Sequence, residues 1–257
     1  MRFVHAAVLV TAVAFDFAAA SAVDNYPLSS QERVALESKF LQVLEYYPQN
    51  SGDSTQSVAH HSRRGDALFF LGRSREAVVE YQAMVRIDPQ QDASHWRLGI
   101  ALFFAGDHKQ AAAQFDKYHM FDDVDRENGI WRFLSHLKAY GAKRAARELL
   151  RYEKDDREPF PVVYRLFDGG VTAKQAVQMI PDDLEAAEQD KRIFYTQLYV
   201  GMLASVKRDS IGAQAALHVA VSCKWPRRAG FGPNYMWHVA RLEYDRLTAG
   251  NGVPVEP

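Results

Sequence analysis

Apolar side chains recur along this chain at the three- and four-residue spacing of amphipathic helices, without the strict alternation of strands. Over 30–47 one helical stripe is formed by Leu36, Phe40, Val43, Leu44 and Tyr47. Two shorter helices are predicted over 161–167 and 172–180, with Thr172 as the N-cap of the second and a double glycine between them. The pattern therefore predicts an all-α protein.

The chain contains an internal repeat with a period of 34 residues. When 58–91 is laid over 92–125, eleven positions are identical, where chance pairing would give about two. The longest shared run is Ala-Leu-Phe-Phe, which begins at Ala67 and again at Ala101. The agreement predicts that one structural unit occurs at least twice.

Small residues mark the shape of this unit. Gly65 and Ala77, with their copies Gly99 and Ala111, put minimal side chains where two antiparallel helices would cross. Gly72 and its copy one period later stand where the first helix of each unit must end. Glycine suits this position, because the residue after a helix often adopts the left-handed conformation. Because one such hairpin cannot bury its apolar face alone, we expect the hairpins to stack.

These positions resemble the tetratricopeptide repeat, a helical hairpin of the same period. The matching residues are Gly65, Leu68, Ala77, Tyr81 and Pro89 in the first unit, and Leu98, Gly99, Leu102, Ala111 and Phe115 in the second. The chain departs from the family pattern at His61 and His95, where tryptophan is usual, and at Asp123, where proline is usual. The resemblance implies a solenoid of helical hairpins coiled into a right-handed superhelix.

Weaker copies of the unit follow in the same phase, and Gly201 lies three periods after Gly99. The expected organisation is a signal peptide (1–22), a leading helix with a flexible connection (23–57), tetratricopeptide units (58–154, made of 58–91, 92–125 and a degenerate 126–154), a short-helix insertion (155–190) and C-terminal tetratricopeptide-like helices (191–257).

The order of these parts also resembles bacterial envelope proteins of the NlpI type, over roughly 58–245. Proteins of that type are lipid-anchored adaptors that bring envelope hydrolases and a protease together. The single cysteine of this chain is Cys223, so the lipid-bearing N-terminal cysteine of that type has no counterpart. The resemblance therefore implies an adaptor role without implying a lipid anchor.

The N-terminal segment has the pattern of an export signal. Arg2 supplies a positive charge, 3–15 is almost continuously apolar, and small residues at 20–22 suit a signal peptidase. Asp16 interrupts the apolar run and leaves it too short to span a bilayer. We expect export to the periplasm, the exterior or an organelle lumen. The alternative is an ordinary buried N-terminal helix.

Composition narrows the class of protein further. The chain has 257 residues, of which 47% are hydrophobic and 25% charged, with 31 basic and 32 acidic side chains. These values argue against a disordered chain, a multi-pass membrane protein and an electrostatically driven nucleic-acid binder. One cysteine allows no intramolecular disulfide. We expect no nucleic-acid partner and no membrane span in the mature chain.

Catalytic and nucleotide-binding motifs are missing from the sequence. His60, His61 and His95 are disfavoured as metal ligands, because adjacent helical residues point about 100° apart and no carboxylate completes the set. An enzymatic site among the acidic residues at 182–185 is a third hypothesis, although helix capping is their commoner use. We expect no catalytic residue, cofactor or metal.

The first helix of each unit lines the concave groove of a tetratricopeptide stack, and the resemblance implies that partners bind there. The candidate partner-binding residues are Ser62, Asp66, Phe69, Phe70, Trp96, Arg97, Ile100, Phe103, Phe104, Trp131 and Arg132. Aromatic anchors on an open groove suit an apolar peptide, and nearby arginines suit its acidic residues. The other interpretation is that the leading helix or the C-terminal helices fold back onto this groove and make it core.

The function expected from the sequence is a non-catalytic protein–protein interaction adaptor or scaffold that binds partner peptides in an extracytoplasmic or lumenal compartment. The alternative is a self-associating structural or assembly protein, a homodimer for example, whose groove is filled by its own helix or by that of a second copy.

The export hypothesis predicts one specific cleavage. When the full chain is made in its own cell, we expect the mature protein to begin at Val23, because the small residues at 20–22 precede it. N-terminal sequencing and the intact mass of the purified protein measure this. A protein that retains Met1 or Arg2 would instead support the buried-helix alternative.

Overall fold

The computed structural model describes residues 26–49, 57–154 and 157–249. The expected signal peptide and most of the connection before residue 57 lie outside them. Regular structure in these three ranges is helical throughout. The α-helices are α1 (Ser30–Tyr46), α2 (Val58–Phe70), α3 (Ser74–Ile87), α4 (Trp96–Phe104), α5 (His108–Phe121), α6 (Arg126–Tyr140), α7 (Ala142–Arg147), α8 (Phe160–Asp168), α9 (Ala173–Gln178), α10 (Ala186–Val206), α11 (Ser210–Ser222) and α12 (Phe231–Ala249).

Helices that follow one another in the chain pack as neighbouring pairs. α2 packs on α3, α4 on α5 and α10 on α11, and the pairs are joined by the α3–α4 and α5–α6 contacts. The expectation of an all-α fold of stacked helical hairpins is therefore confirmed. The leading helix is also confirmed, since α1 is capped by Ser29 and Glu32 and packs on α2.

Glycine sits at the helix crossings because a large side chain of the partner helix occupies the space. A Cβ on Gly65 would lie 2.5 Å from the Tyr81 ring, and one on Gly99 would lie 2.7 Å from the Phe115 ring. The α10–α11 hairpin repeats the arrangement, with 2.6 Å between such a Cβ on Gly201 and Leu217 Cγ. Close backbone approach is thus common to all three pairs.

The turns of the first two hairpins use left-handed glycine, as expected. Gly72 has φ +78° and Gly106 has φ +87°. In the α10–α11 hairpin Arg208 stands three periods after Gly106 and adopts φ 65°. A non-glycine residue therefore adopts the left-handed conformation in this turn, which costs such residues about 1 kcal/mol or more.

The insertion contains the two short helices that the sequence predicts, α8 and α9, and Thr172 caps α9 together with Gln175. The next helix, α10, begins at Ala186, so it spans the expected limit between 190 and 191. Its first turns are supported by Glu188, which pairs with Lys191 and Arg192.

The last helix returns to the beginning of the stack. α12 contacts α2 as well as α10 and α11, so the C-terminal helices close against the first repeat. Phe40 of α1 reaches the same region and lies 5.1 Å from the Phe70 ring. Among the described residues, no helix combines the length and apolar character required to cross a membrane.

The crossing glycines generate a stability prediction. We expect Gly99→Ala to lower the free energy of unfolding by about 1–3 kcal/mol, because the added methyl overlaps the buried Phe115 ring. Gly232→Ala is the control, since a Cβ on this helical glycine meets nothing within 4 Å. The control should be neutral or stabilising by up to about 1 kcal/mol. Urea denaturation followed by circular dichroism measures both, and equal values would refute the crossing argument.

Candidate functional site

The first part of the expected groove is occupied by α12. The Tyr235 ring stacks on Phe69 with 5.0 Å between centroids and 6° between planes. His238 stacks on Phe70 at 4.0 Å, and Phe69 is 0% exposed. Burial lowers the pKa of His238 well below its ordinary value, so this imidazole packs in its neutral form. The fold-back interpretation therefore describes this end of the groove.

Polar contacts hold α12 against α2, α3 and α4. Arg97 pairs with Asp66 at 2.7 Å, and the Tyr81 hydroxyl donates to the same carboxylate at 2.8 Å. The Tyr81 and Tyr235 hydroxyl oxygens lie 3.3 Å apart. At the end of α2, the Arg241 guanidinium of α12 donates to the Phe70 carbonyl at 2.5 Å.

Most of the candidate partner-binding residues are used inside the fold. Phe69, Phe70, Ile100, Phe103 and Trp131 are buried, with exposed fractions from 0% to 8%. Phe104 packs on Phe69, and Ser62 accepts a hydrogen bond from Arg97. Arg132 binds Asp116 at 2.5 Å and the Glu148 carbonyl. Phe69, Phe70 and Phe103 are therefore not part of an open aromatic surface, because α12 and the neighbouring repeat cover them.

An open space remains farther along the same face, between α4, α5 and α6 on one side and α10 and α12 on the other. We refer to this space as the cleft, and its volume is about 520 Å³. Three of the candidate residues, Trp96, Ile100 and Trp131, line it. The other aromatic side chains in its wall are Phe115, Tyr118, Tyr195 and Trp225.

The charged side chains in the cleft wall are mainly acidic: Asp122, Asp125, Glu127, Arg157 and Lys191. Arg157 lies 2.5 Å from Glu127 and 3.5 Å from Asp125. Lys191 pairs with Glu188 at 3.0 Å, and the Tyr199 hydroxyl donates to Glu127 at 2.5 Å. The two cations are therefore already paired with carboxylates.

The neighbouring phenols respond to these carboxylates. Burial raises the pKa of Tyr118, and the charges of Asp125 and Asp122 raise it further. Burial likewise raises the pKa of Tyr195, and Glu127 adds to the shift. Burial is the larger cause of both pKa shifts, and the nearby carboxylates act in the same direction.

Two buried polar atoms in the cleft wall have no hydrogen-bond partner in the structure. They are Nε1 of Trp131 and Oδ1 of Asn128, and the two residues are 2% and 4% exposed. Asn128 Nδ2 is 3.4 Å from the Phe115 carbonyl oxygen, which fixes the orientation of the amide. Unsatisfied buried donors and acceptors are costly in a finished core, so each calls for a partner such as a water molecule, an ion or a ligand.

Sequence reasoning did not find the acidic and C-terminal part of this site. Asp122 is one period after Asp88, and this match and the identity of Tyr118 gave no indication of a binding site. Tyr195 and Trp225 come from α10 and the loop after α11, and no periodicity places them opposite α5 and α6. The only signal was the high aromatic content of the C-terminal part.

A second and larger groove, of about 880 Å³, runs between α1, α12 and the α2–α3 turn. Its charged side chains bind one another, as in the Arg241–Asp245 pair at 3.1 Å and the hydrogen bond from Tyr26 to Asp245. Its wall contains none of the unpaired buried polar atoms. The cleft is therefore the better candidate site.

The histidines singled out in the sequence have structural contacts. His61 Nδ1 lies 2.6 Å from Glu80, which also binds Arg64 at 2.8 Å. His95 caps α4 by accepting from the Leu98 amide at 3.3 Å. Within the described part of the chain, no group of three or more His, Cys, Asp or Glu side chains is arranged to hold a metal ion.

Comparison of the chain with protein-family models gives no match, and comparison with curated proteins gives none.

The capping histidine predicts a pH dependence of stability. Burial lowers the pKa of His95 to about 4 from its ordinary value of 6.5, and Arg97 acts in the same direction. Between these values the unfolded chain binds a proton that the folded chain does not, so acidification destabilises the fold. At 1.36 kcal/mol per unit, the full loss is about 3 kcal/mol.

The variant His95→Asn isolates this effect, because its side-chain oxygen still caps α4 but does not titrate. We expect its free energy of unfolding to fall less steeply than that of the wild type between about pH 6.5 and pH 4. Denaturant titrations across this pH range compare the two slopes. Parallel slopes would show that His95 does not titrate differently in the two states.

Proposed function

We propose that this protein is a non-catalytic adaptor or scaffold of the tetratricopeptide type, which binds a peptide segment of a partner protein in the cleft. The observation that carries the proposal is the cleft itself, with its aromatic wall and its two unpaired buried polar atoms. A volume of about 520 Å³ lies in the range of binding pockets and suits a few residues of a peptide.

The proposed binding surface lies farther along the stack than most of the groove residues predicted from the sequence. Trp96, Ile100 and Trp131 keep a direct role, because they line the cleft. Phe69, Phe70 and Phe103 act as support for the helices that carry them. Aromatic side chains such as Tyr118 and Trp225 supply rigid apolar contact area, which is where binding energy concentrates.

The compartment is part of the proposal. The N-terminal pattern of a positive charge, an apolar run and a small-residue cleavage motif supports export into an extracytoplasmic or lumenal space. The adaptor would then meet its partners there, without requiring a disulfide to hold its fold.

The second candidate is a self-associating assembly protein, and the position of α12 favours it. A helix of the chain already occupies one end of the groove, through Tyr235 and His238. The same contacts made by the α12 of a second copy would produce a dimer. Sedimentation at several concentrations separates the two: a monomer favours the adaptor, and a tight dimer favours self-association.

The adaptor proposal predicts a specific pattern of lost binding. We expect Tyr118→Ala and Trp225→Ala each to weaken partner capture by at least tenfold, because both side chains line the cleft. Phe121→Ala is the matched control, since Phe121 is on the same helix as Tyr118 but is 63% exposed and does not line the cleft. The measurement is affinity capture from the native host with each variant as bait, quantified by mass spectrometry.

Unchanged helicity of each variant is checked first by circular dichroism. If the same partners are captured equally by all three variants, the cleft does not bind them and the adaptor proposal fails at this site.

A further inference from the structure

We propose that the cleft recognises a short extended peptide segment that carries a basic side chain, lysine or arginine, and that this cation lies between the aromatic wall and the carboxylate of Asp122. The inference rests on the proposed adaptor function and specifies the chemistry of the partner. It reverses the charge that the sequence suggested, since the arginines along the groove favoured an acidic segment.

Two of the arginines expected to attract acidic residues, Arg97 and Arg132, are not available to them. Arg97 binds Asp66 at 2.7 Å and Ser62 at 2.9 Å, and its guanidinium lies over the Tyr81 ring. Arg132 binds Asp116 and the Glu148 carbonyl. Both guanidinium groups are therefore used to hold the repeats together.

The cleft offers negative charge instead. Its wall contains three carboxylates and two cations, and Lys191 pairs with Glu188 at its edge. Asp122 uses one oxygen, Oδ1, to accept from the amides of Val124 and Asp125. In a partly enclosed site of reduced dielectric, this excess of carboxylate favours a cation over an anion or a neutral group.

The aromatic wall suits the same cation. The faces of tryptophan and tyrosine attract ammonium and guanidinium groups, and a basic side chain can lay its apolar stem along them. The protein already uses this contact nearby, where the Arg157 guanidinium lies 4.4 Å from the centre of the Phe160 ring.

The two unpaired buried atoms of the cleft wall favour a peptide over a simple amine as the ligand. Trp131 Nε1 can only donate, and Asn128 Oδ1 can only accept. The two residues are three positions apart on α6 and therefore lie on one face of the helix. Both atoms are shielded from solvent, so an extended segment, whose backbone presents a carbonyl and an N–H, would satisfy them only after the side chains over them shift.

The test is a selection from a phage-displayed library of random heptapeptides on the immobilised full chain. A parallel selection on Trp225→Ala removes part of the cleft wall. Peptides enriched on the wild type alone are synthesised, and their dissociation constants are measured by the fluorescence change of the protein. This signal is informative because Trp96, Trp131 and Trp225 all line the cleft.

We expect the enriched peptides to contain lysine or arginine far more often than the library does. Replacing that side chain with norleucine, its neutral counterpart, should weaken binding by about tenfold. Asp122→Asn should weaken the basic peptide by a similar factor, because the amide oxygen can still accept from Val124 while the charge is lost. Asp123→Asn is the control, since this exposed neighbour does not line the cleft and should change nothing.

Other outcomes overturn one or both proposals. If the enriched peptides are neutral or acidic, or bind equally well to Asp122→Asn, the basic-ligand inference is wrong and the adaptor proposal stands. If no peptide is enriched on the wild type relative to Trp225→Ala, the cleft is not a peptide site, and the inference fails together with the adaptor proposal at this site.

Discussion

The packing of α12 against the aromatic face of α2 and α4 is the contact on which the rest of this structure depends. A stack of helical hairpins leaves the inner faces of its first helices uncovered, and here that face contains adjacent phenylalanines in each unit. Tyr235 and His238 cover it with stacked rings. Because these contacts close the C-terminal helices onto the first repeat, they also set the width of the space that remains beside α5 and α6.

The buried polar network explains why α12 takes one defined position on an apolar face. Stacking alone would tolerate sliding, since the hydrophobic effect is not directional. The Asp66–Arg97 pair and the Tyr81 hydroxyl need fixed partners, and the Tyr235 hydroxyl lies within hydrogen-bond distance of the Tyr81 hydroxyl. Removing one member would leave a buried charge or donor unsatisfied, which costs more than the network contributes when complete. The network therefore contributes mainly to the specificity of the arrangement.

The groove has a covered end and an open end, and this difference links the fold to the proposed function. At the covered end Asp66, Arg97, Tyr81 and Tyr235 bind one another, whereas the cleft wall retains an unpaired donor on Trp131 and an unpaired acceptor on Asn128. α12 covers the aromatic side chains of α2 and α4, as a partner peptide is proposed to cover Tyr118, Trp131 and Trp225. The same kind of surface is thus filled by the chain at one end and is available to a partner at the other.

The sequence by itself determined the local architecture, because helix spacing, the crossing glycines and the left-handed turns depend on neighbours within one hairpin. Gly65, Gly99 and Gly201 identified the hairpins correctly, each facing a large side chain sixteen positions later. Only the tertiary structure decided which surface is free, because burial depends on the return of α12, far from the first repeat in the chain. Tertiary packing buries Phe69 and brings Asp122 and Trp225 together in one cleft. The sequence does not predict these contacts, because long-range packing carries no periodic signal.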